Sequence, residues 1–147
     1  MKVKLHRILI VEDNEDDLEL TLDALKTHNL ANEVEIARDG AEALDYLFCN
    51  RKWKNRENGN PAVILLDLKL PKLSGLEVLK LLRANERTQL IPVVILTSSN
   101  EEQDIIEGYK LGTNAYVVKP VVFESFMKAV EILGNFWGII NEPPSEG

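Results

Sequence analysis

Four short runs of apolar residues restrict the fold of this chain more than any other feature. They are continuous rather than alternating and rich in branched side chains, which is typical of strands buried on both faces in a parallel sheet. The runs are Ile8–Val11, Ala62–Leu66, Val93–Leu96 and Ala115–Val118. A weaker, alternating run at Val34–Ala37 predicts a fifth strand at the edge of the sheet.

Segments with helical spacing separate these runs. The first predicted helix is marked by Leu18, Leu22 and Leu25 after a candidate N-cap at Asn14, and the second covers Ala41–Phe48. The third covers Leu76–Leu82 after a candidate cap at Ser74. The fourth is marked by Ile105, Ile106 and Tyr109, and the fifth by an apolar stripe from Phe123 to Trp137. Because strand–helix–strand crossovers are right-handed, these helices should cover both faces of the sheet. The predicted fold is α/β, a doubly wound five-stranded parallel sheet with five helices.

Length and charge exclude several classes of protein. The chain has 147 residues, which suggests one domain over 1–147, with a tail over about 138–147. A net charge of −7 argues against unaided binding to nucleic acid or an anionic membrane. The one cysteine, Cys49, cannot form an internal disulfide, and the apolar run Ile8–Val11 is too short for a signal peptide or a membrane span. We therefore expect a soluble, cytoplasmic protein.

Each of the four strong strands is followed by a residue capable of chemistry. Glu12 and Asp13 follow the first strand, Asp67 the second, Thr97 the third and Lys119 the fourth. Ligands of open parallel sheets bind outside the carboxyl ends of the strands. The sequence therefore predicts that these five residues converge on one small site.

The charges of this site predict a bound cation. Neighbouring carboxylates repel by roughly 4 kcal/mol per pair at about 4 Å and an effective dielectric of about 20. Lys119 offsets one negative charge, and the absence of nearby His or Cys favours Mg²⁺ over zinc. A carboxylate beside Mg²⁺ and an ammonium can attack phosphorus to form an acyl phosphate. Thr97 could donate a hydrogen bond to a phosphoryl oxygen.

Each of these residues also has a simpler explanation when taken alone. Glu12 and Asp13 could favour the next helix N-terminus through its dipole, and Asp67 could be a loop acid. Thr97 could be a helix cap, and Lys119 a solvated surface residue. Their joint order at the ends of four apolar strands favours the shared site.

In this arrangement the chain resembles the receiver domain of two-component response regulators, the CheY-like family. The matching segments are Ile8–Asp13, Leu65–Pro71 with Gly75, Val94–Thr97 and Val118–Pro120. The resemblance covers a core from about 7 to 137. It implies the flavodoxin-like strand order 2-1-3-4-5.

The resemblance also implies roles for the acidic residues. Asp67 matches the aspartate that accepts the phosphoryl group. Glu12 and Asp13 match the acidic pair that holds Mg²⁺ together with Asp67 and the backbone carbonyl of Lys69. Many receivers carry two aspartates where this chain has Glu12-Asp13, so Glu12 could bind the metal directly or through water.

Three further residues match the switching elements of the family. Thr97 matches the switch hydroxyl, and Lys119 matches the lysine that pairs with the phosphoryl group. Tyr116 resembles the aromatic residue that swings inward when the hydroxyl moves towards the phosphate. The resemblance further implies a cis bond between Lys119 and Pro120.

A closer resemblance is to the small stand-alone regulators paired with cyanobacterial and bacterial phytochromes. It rests on a long loop after the second helix, a Leu-Asp-Leu-x-Leu-Pro motif and Phe136-Trp137. It implies a phytochrome-type histidine kinase as phosphodonor. It also implies a homodimer through the fourth helix, fifth strand and fifth helix, with Phe136 and Trp137 either in the dimer contact or folded back on the core.

Two other functions are compatible with a strand-end aspartate. A phosphatase of the haloacid dehalogenase type would carry an acid two residues after the nucleophile, where this chain has Lys69. A phosphorylation-independent interaction module needs none of this chemistry. A flavin protein is disfavoured because the turn Glu12–Asp17 is acidic and lacks glycine. The favoured prediction is a phosphoacceptor that switches protein contacts, and not a turnover enzyme.

Overall fold

Five parallel strands form one sheet in the order β2-β1-β3-β4-β5, which confirms the predicted topology. The computed structural model describes residues 5–27, 31–56, 59–97, 107, 110–112 and 115–133. The strands are β1 (Leu5–Val11), β2 (Ala31–Ala37), β3 (Val63–Asp67), β4 (Val93–Thr97) and β5 (Ala115–Val118).

The structure describes four of the five predicted helices. They are α1 (Glu15–Thr27), α2 (Gly40–Leu47), α3 (Gly75–Arg83) and α4 (Phe123–Leu133). Helix α4 corresponds to the fifth predicted helix. The fourth predicted helix, marked by Ile105, Ile106 and Tyr109, lies outside the described residues, as does the segment with Phe136 and Trp137.

Polar side chains at the helix N-termini explain where the helices begin. Asn14 Oδ1 accepts a hydrogen bond from the Asp17 amide at 2.9 Å, at the start of α1. Asp39 caps α2, and Ser74 forms a reciprocal capping box with Glu77 at α3. These contacts satisfy amide groups that have no partner within the helix. The predicted caps Asn14 and Ser74 are therefore confirmed.

Two apolar layers cover the sheet because successive residues of a strand point to opposite faces. On one face Ile8 and Ile10 of β1 pack with α1 and α4. On the other face Leu9 and Val11 pack with α2 and α3. Strands β3 and β4 are buried at every position, as their continuous apolar runs predict.

Strand β5 differs from the prediction of a strand buried on both faces. Ala115 and Val117 are buried, whereas Tyr116 and Val118 are exposed. Ala115 and Val117 belong to the core layer that also contains residues of α4, whereas Tyr116 and Val118 point to the opposite face of the sheet. The apolar run of β5 therefore leaves one row of side chains accessible.

Residues 50–56, the described first part of the long loop after α2, pack around one arginine. A short 3-10 helix spans Arg51–Trp53, and the Trp53 ring packs edge-on against Tyr46 with centroids 5.4 Å apart. The Arg56 guanidinium lies 4.2 Å from the centre of the Tyr46 ring and donates to the carbonyls of Tyr46 and Leu47 at 2.9 and 3.3 Å. Arg56 thus satisfies carbonyl groups at the C-terminus of α2. Within the described residues, no helix is long and apolar enough to cross a membrane.

Candidate functional site

The predicted site residues lie at the end of the sheet that is formed by the carboxyl ends of its strands. Glu12 directly follows β1, Asp67 and Thr97 are the last residues of β3 and β4, and Lys119 directly follows β5. A hydrogen bond of 2.7 Å from the Lys119 amide to the Thr97 carbonyl extends the pairing of β4 and β5 to this end of the sheet. The parallel register therefore brings together residues separated by up to 107 positions of sequence.

Lys119 is at the centre of a cluster of carboxylates. Its ammonium nitrogen lies 3.0 and 3.2 Å from the two Glu12 oxygens and 3.0 Å from Asp67 Oδ2. A third carboxylate, Asp17 Oδ2, lies 2.9 Å away. The Lys119 side chain is 7% exposed and that of Glu12 is fully buried. The ion pair between Lys119 and Glu12 is therefore shielded from solvent. Charge interactions in such a buried site are stronger than those at the protein surface.

The crowding of charges changes the protonation of the buried groups. Burial, reinforced by a hydrogen bond with Asp67, raises the pKa of Glu12 to about 7, although Lys119 acts in the opposite direction. Burial by itself would lower the pKa of Lys119. Its hydrogen bonds with Asp17, Asp67 and Glu12 outweigh this effect and raise that pKa above the ordinary value. Lys119 is therefore a permanent cation in this site.

Three carboxylates could hold a metal ion here. Glu12, Asp13 and Asp67 each offer an oxygen, and these oxygens lie within 4.8 Å of one another. Glu12 and Asp67 are buried, whereas Asp13 is exposed and opens the cluster to solvent. Carboxylate oxygens are the ligands preferred by hard cations such as Mg²⁺. The donor set is thus suited to the predicted metal.

The loop between β3 and α3 fixes the Asp67 carboxylate. The Lys69 amide donates to Asp67 Oδ1 at 3.2 Å. The Gly75 amide donates to the Leu68 carbonyl at 2.9 Å, and a β carbon on Gly75 would lie 2.2 Å from the Asp67 carbonyl oxygen. Only glycine allows this approach of two backbone segments. Gly75 therefore holds the start of α3 against the end of β3.

Thr97 and Tyr116 lie on the two neighbouring strands β4 and β5, respectively. Thr97 is buried at the end of β4 and is paired in register with Val118. Tyr116 is paired with Ile95, and its side chain is 40% exposed. The Lys119–Pro120 bond is cis, which confirms that expectation. The switching roles of Thr97 and Tyr116 remain predictions.

Asp17 is a site residue that the sequence analysis missed. It lies in the first turn of α1, which begins four residues after the end of β1. The available signal was an acidic residue in the first turn of the helix that follows Glu12-Asp13. That signal could not be separated from the general preference for acidic residues at helix N-termini.

The family follows from comparison with known proteins. A profile of the response regulator receiver domain matches residues 8–131. The chain belongs to this family. Among curated proteins, the receiver domain is similar to response regulator Rcp1 of Synechocystis, with 39% identity over 130 residues that cover 88% of this chain and 87% of the relative.

Solved structures of related regulators share the fold of this receiver domain. The bacteriophytochrome response regulator AtBRR is 58% identical, with a TM-score of 0.83 and coverage of 95% of this chain and 99% of the other. A Mn²⁺-bound form of Rcp1 is 37% identical, with a TM-score of 0.75 and coverage of 95% and 99%. The phosphorylated cyanobacterial phytochrome response regulator RcpA is 36% identical, with a TM-score of 0.77 and coverage of 96% and 99%. The relatives of this receiver domain thus include phytochrome-associated regulators.

Proposed function

We propose that this receiver domain accepts a phosphoryl group on Asp67 in a Mg²⁺-dependent reaction. The observation that carries the proposal is the position of the Lys119 ammonium group, 3.0 Å from Asp67 Oδ2. An ammonium in this position can stabilise negative charge on phosphoryl oxygens as they approach the carboxylate. The phosphorylated form of the relative RcpA supports the same chemistry.

The reaction uses Asp67 as the nucleophile. A carboxylate oxygen of Asp67 attacks the phosphorus of a phosphohistidine, the phosphorus–nitrogen bond breaks, and an aspartyl phosphate forms. The Lys69 amide, which donates to Asp67 Oδ1, holds the carboxylate in one orientation. Lys119 pairs with the phosphoryl oxygens, and the hydroxyl of Thr97 donates to one of them.

We assign the metal site to Glu12, Asp13, Asp67 and the backbone carbonyl of Lys69. Bound Mg²⁺ would neutralise charge on the phosphoryl oxygens and allow them to approach the carboxylates. The 4.8 Å cluster of carboxylate oxygens and the Mn²⁺-bound form of Rcp1 support this assignment. Both oxygens of Glu12 contact Lys119, which favours a water-mediated contact between Glu12 and the metal.

Phosphorylation of Asp67 would then change protein contacts. We propose that Thr97 moves towards the phosphoryl group and that the exposed ring of Tyr116 moves inward behind it. The signal is a shift between two states of the face that includes β5, driven by the new contacts of the phosphoryl group. Steady-state catalysis is not part of this function.

The proposed donor is a phytochrome-type histidine kinase. The similarity to AtBRR, a bacteriophytochrome response regulator, and to RcpA, a cyanobacterial phytochrome response regulator, supports this choice. Phosphotransfer from a panel of purified histidine kinases tests it. Fastest transfer from a phytochrome-type kinase is expected, and faster transfer from an unrelated kinase would contradict the pairing.

Incubation with acetyl phosphate and Mg²⁺ tests the phosphoacceptor directly. Intact-mass spectrometry should show one added phosphoryl group on the wild type and none on Asp67→Asn. Asp16→Asn is the control, because Asp16 is an exposed acid of α1. Labelling of Asp67→Asn to the wild-type extent would overturn the assignment. Steady phosphate release from small phosphomonoesters would instead favour the phosphatase alternative.

We further propose a homodimer through the fourth predicted helix, β5 and α4, together with Phe136 and Trp137. The exposed apolar side chains of Tyr116, Val118 and Val122 support this face. Light scattering should show a dimer that Val118→Lys converts to a monomer. Leu90→Lys, at a position 82% exposed between α3 and β4, should leave the dimer intact.

The domain limits are also part of the proposal. We propose one receiver domain over 1–147, with a core from about 7 to 137, in the cytoplasm. The family match over residues 8–131 supports most of this core. Limited proteolysis should yield one stable fragment close to these limits.

A further inference from the structure

Lys119 contacts one acidic side chain that lies outside the carboxylate cluster suited to a metal. Asp17 Oδ2 is 2.9 Å from the Lys119 ammonium nitrogen, as close as either carboxylate of the cluster that Lys119 contacts. The Asp17 side chain is 29% exposed, so the ion pair lies at the border of the buried site. The metal cluster within the described residues consists of Glu12, Asp13 and Asp67 and does not include Asp17.

The Asp17 carboxylate is not needed to begin helix α1. The cap of this helix uses the backbone amide of Asp17, which donates to Asn14 Oδ1 at 2.9 Å. A change of the side chain to an amide leaves this hydrogen bond in place. In the part of the chain that the structure describes, the contact of the Asp17 carboxylate is its ion pair with Lys119.

The other two contacts of Lys119 are committed to the reaction. An ammonium group has three N–H donors, and here they face Glu12, Asp17 and Asp67. In the proposed function, Asp67 becomes phosphorylated and Glu12 shares its charge with a cation. Both carboxylates then become weaker partners for Lys119. The long, flexible lysine side chain has no fixed geometry of its own.

We propose that Asp17 is a positioning residue that keeps the Lys119 ammonium beside Asp67 during phosphoryl transfer. The inference rests on the proposed function, because it assigns Lys119 to the phosphoryl group. Among the described residues, Asp17 supplies the carboxylate contact of Lys119 that persists when Glu12 and Asp67 are engaged. Asp17 does not touch the reacting atoms, and it acts only through Lys119.

The test compares Asp17→Asn with Asp16→Asn in the 147-residue chain. Both variants remove one negative charge from the first turn of α1. Of the two residues, which the structure describes, Asp17 contacts Lys119 and Asp16 does not. With acetyl phosphate and Mg²⁺, Asp17→Asn should be phosphorylated about five-fold more slowly than Asp16→Asn, as expected for weakening one charged hydrogen bond. The Mg²⁺ affinities of the two variants, measured by calorimetry, should agree within about two-fold, because screening makes their remote charge effects similar.

A double-mutant cycle separates positioning from a general structural effect. In a Lys119→Met background, Asp17→Asn should slow the residual phosphorylation by less than about two-fold, since its partner is gone.

The outcomes distinguish this inference from the function on which it rests. If the wild type is phosphorylated and Asp17→Asn matches or exceeds Asp16→Asn in rate, the positioning role is overturned and the phosphoacceptor assignment stands. If the wild type takes up no phosphoryl group at all, the proposed function fails, and the inference fails with it.

Discussion

Gly75 lies so close to Asp67 that a β carbon on Gly75 would come within 2.2 Å of the Asp67 carbonyl oxygen. Gly75→Ala must therefore separate the start of α3 from the end of β3. We expect the free energy of unfolding to fall by roughly 1–3 kcal/mol, the usual cost of overpacking, and phosphorylation at Asp67 to slow. Urea denaturation and mass spectrometry measure the two effects.

Gly59→Ala is the matched control for this substitution. A β carbon at Gly59 meets no atom within 4 Å. We expect a change of less than about 0.5 kcal/mol in the free energy of unfolding, as for most surface substitutions. Equal destabilisation by the two alanine substitutions would show that the close contact with Asp67 does not restrict the size of the side chain at position 75.

The N-cap of α2 gives a second prediction. Asp39 Oδ1 accepts a hydrogen bond from the Glu42 amide at 2.8 Å, and Oδ2 lies 3.3 Å from Lys72 Nζ. Asp39→Ala should cost about 1 kcal/mol of stability. Asp39→Asn keeps a side-chain oxygen for the cap and should lose less. Thermal and urea denaturation at neutral pH compare the variants, and equal losses would exclude the capping oxygen as the cause.

The same residue predicts a pH dependence. The hydrogen bond from the Glu42 amide, aided by Lys72, lowers the pKa of Asp39 below its ordinary value of 3.8. A carboxyl group with a lowered folded-state pKa contributes stability above the unfolded-state pKa, and this contribution is lost as the pH falls through the folded-state pKa. The stability difference between wild type and Asp39→Asn should therefore shrink below about pH 4. A difference that grows on acidification would contradict this sign.

The strands and the residues that follow them could be predicted from the sequence because both depend on local patterns, whereas the strand order was implied by the family resemblance. The apolar runs of β3 and β4 are buried at every position, and Asp67 and Thr97 end them. The contact between Asp17 and Lys119 depends instead on the angle at which α1 leaves β1 and on the side-chain rotamer. No local pattern encodes either quantity.

The packing of residues 50–56 after α2 was unpredictable for a similar reason. Arg56 lies nine residues beyond the last residue of α2, yet it donates to the Leu47 carbonyl. Its polarity and position in the sequence indicate only a solvated loop. The cap forms because the chain returns over Tyr46, which is a tertiary contact rather than a property of the loop sequence.

The proposed role of Asp13 as a metal ligand predicts that Mg²⁺ stabilises the fold. If Asp13 is a ligand, Mg²⁺ should raise the melting temperature of the wild type, because a ligand at about 100 times its Kd stabilises a fold by about 2.7 kcal/mol. Asp13→Asn should lose most of this increase, whereas Asp16→Asn should retain it. Removal of Mg²⁺ with a chelator should reverse the effect. An equal Mg²⁺-induced increase in Asp13→Asn would exclude Asp13 as a ligand.

The titration of Glu12 tests the electrostatics of the same site without the metal. Burial, together with Asp67, raises the pKa of Glu12 from 4.5 to about 7. A carboxyl group with a raised folded-state pKa binds its proton more tightly when folded. Its contribution to stability is therefore present at low pH and is lost as the pH rises from 4.5 through 7. In metal-free protein, carbon-13 NMR should show one glutamate carboxyl titrating near pH 7.

Substitutions around Glu12 should move this titration in opposite directions. Asp67→Asn removes a neighbouring negative charge and should lower the midpoint, whereas Lys119→Met removes the compensating cation and should raise it. Mg²⁺ should lower the midpoint in the wild type, because the metal competes with the proton for carboxylate oxygens. If neither substitution changes the midpoint, the titrating glutamate is not the one that contacts Asp67 and Lys119. The expected charge interactions of Glu12 with these two residues would then be contradicted.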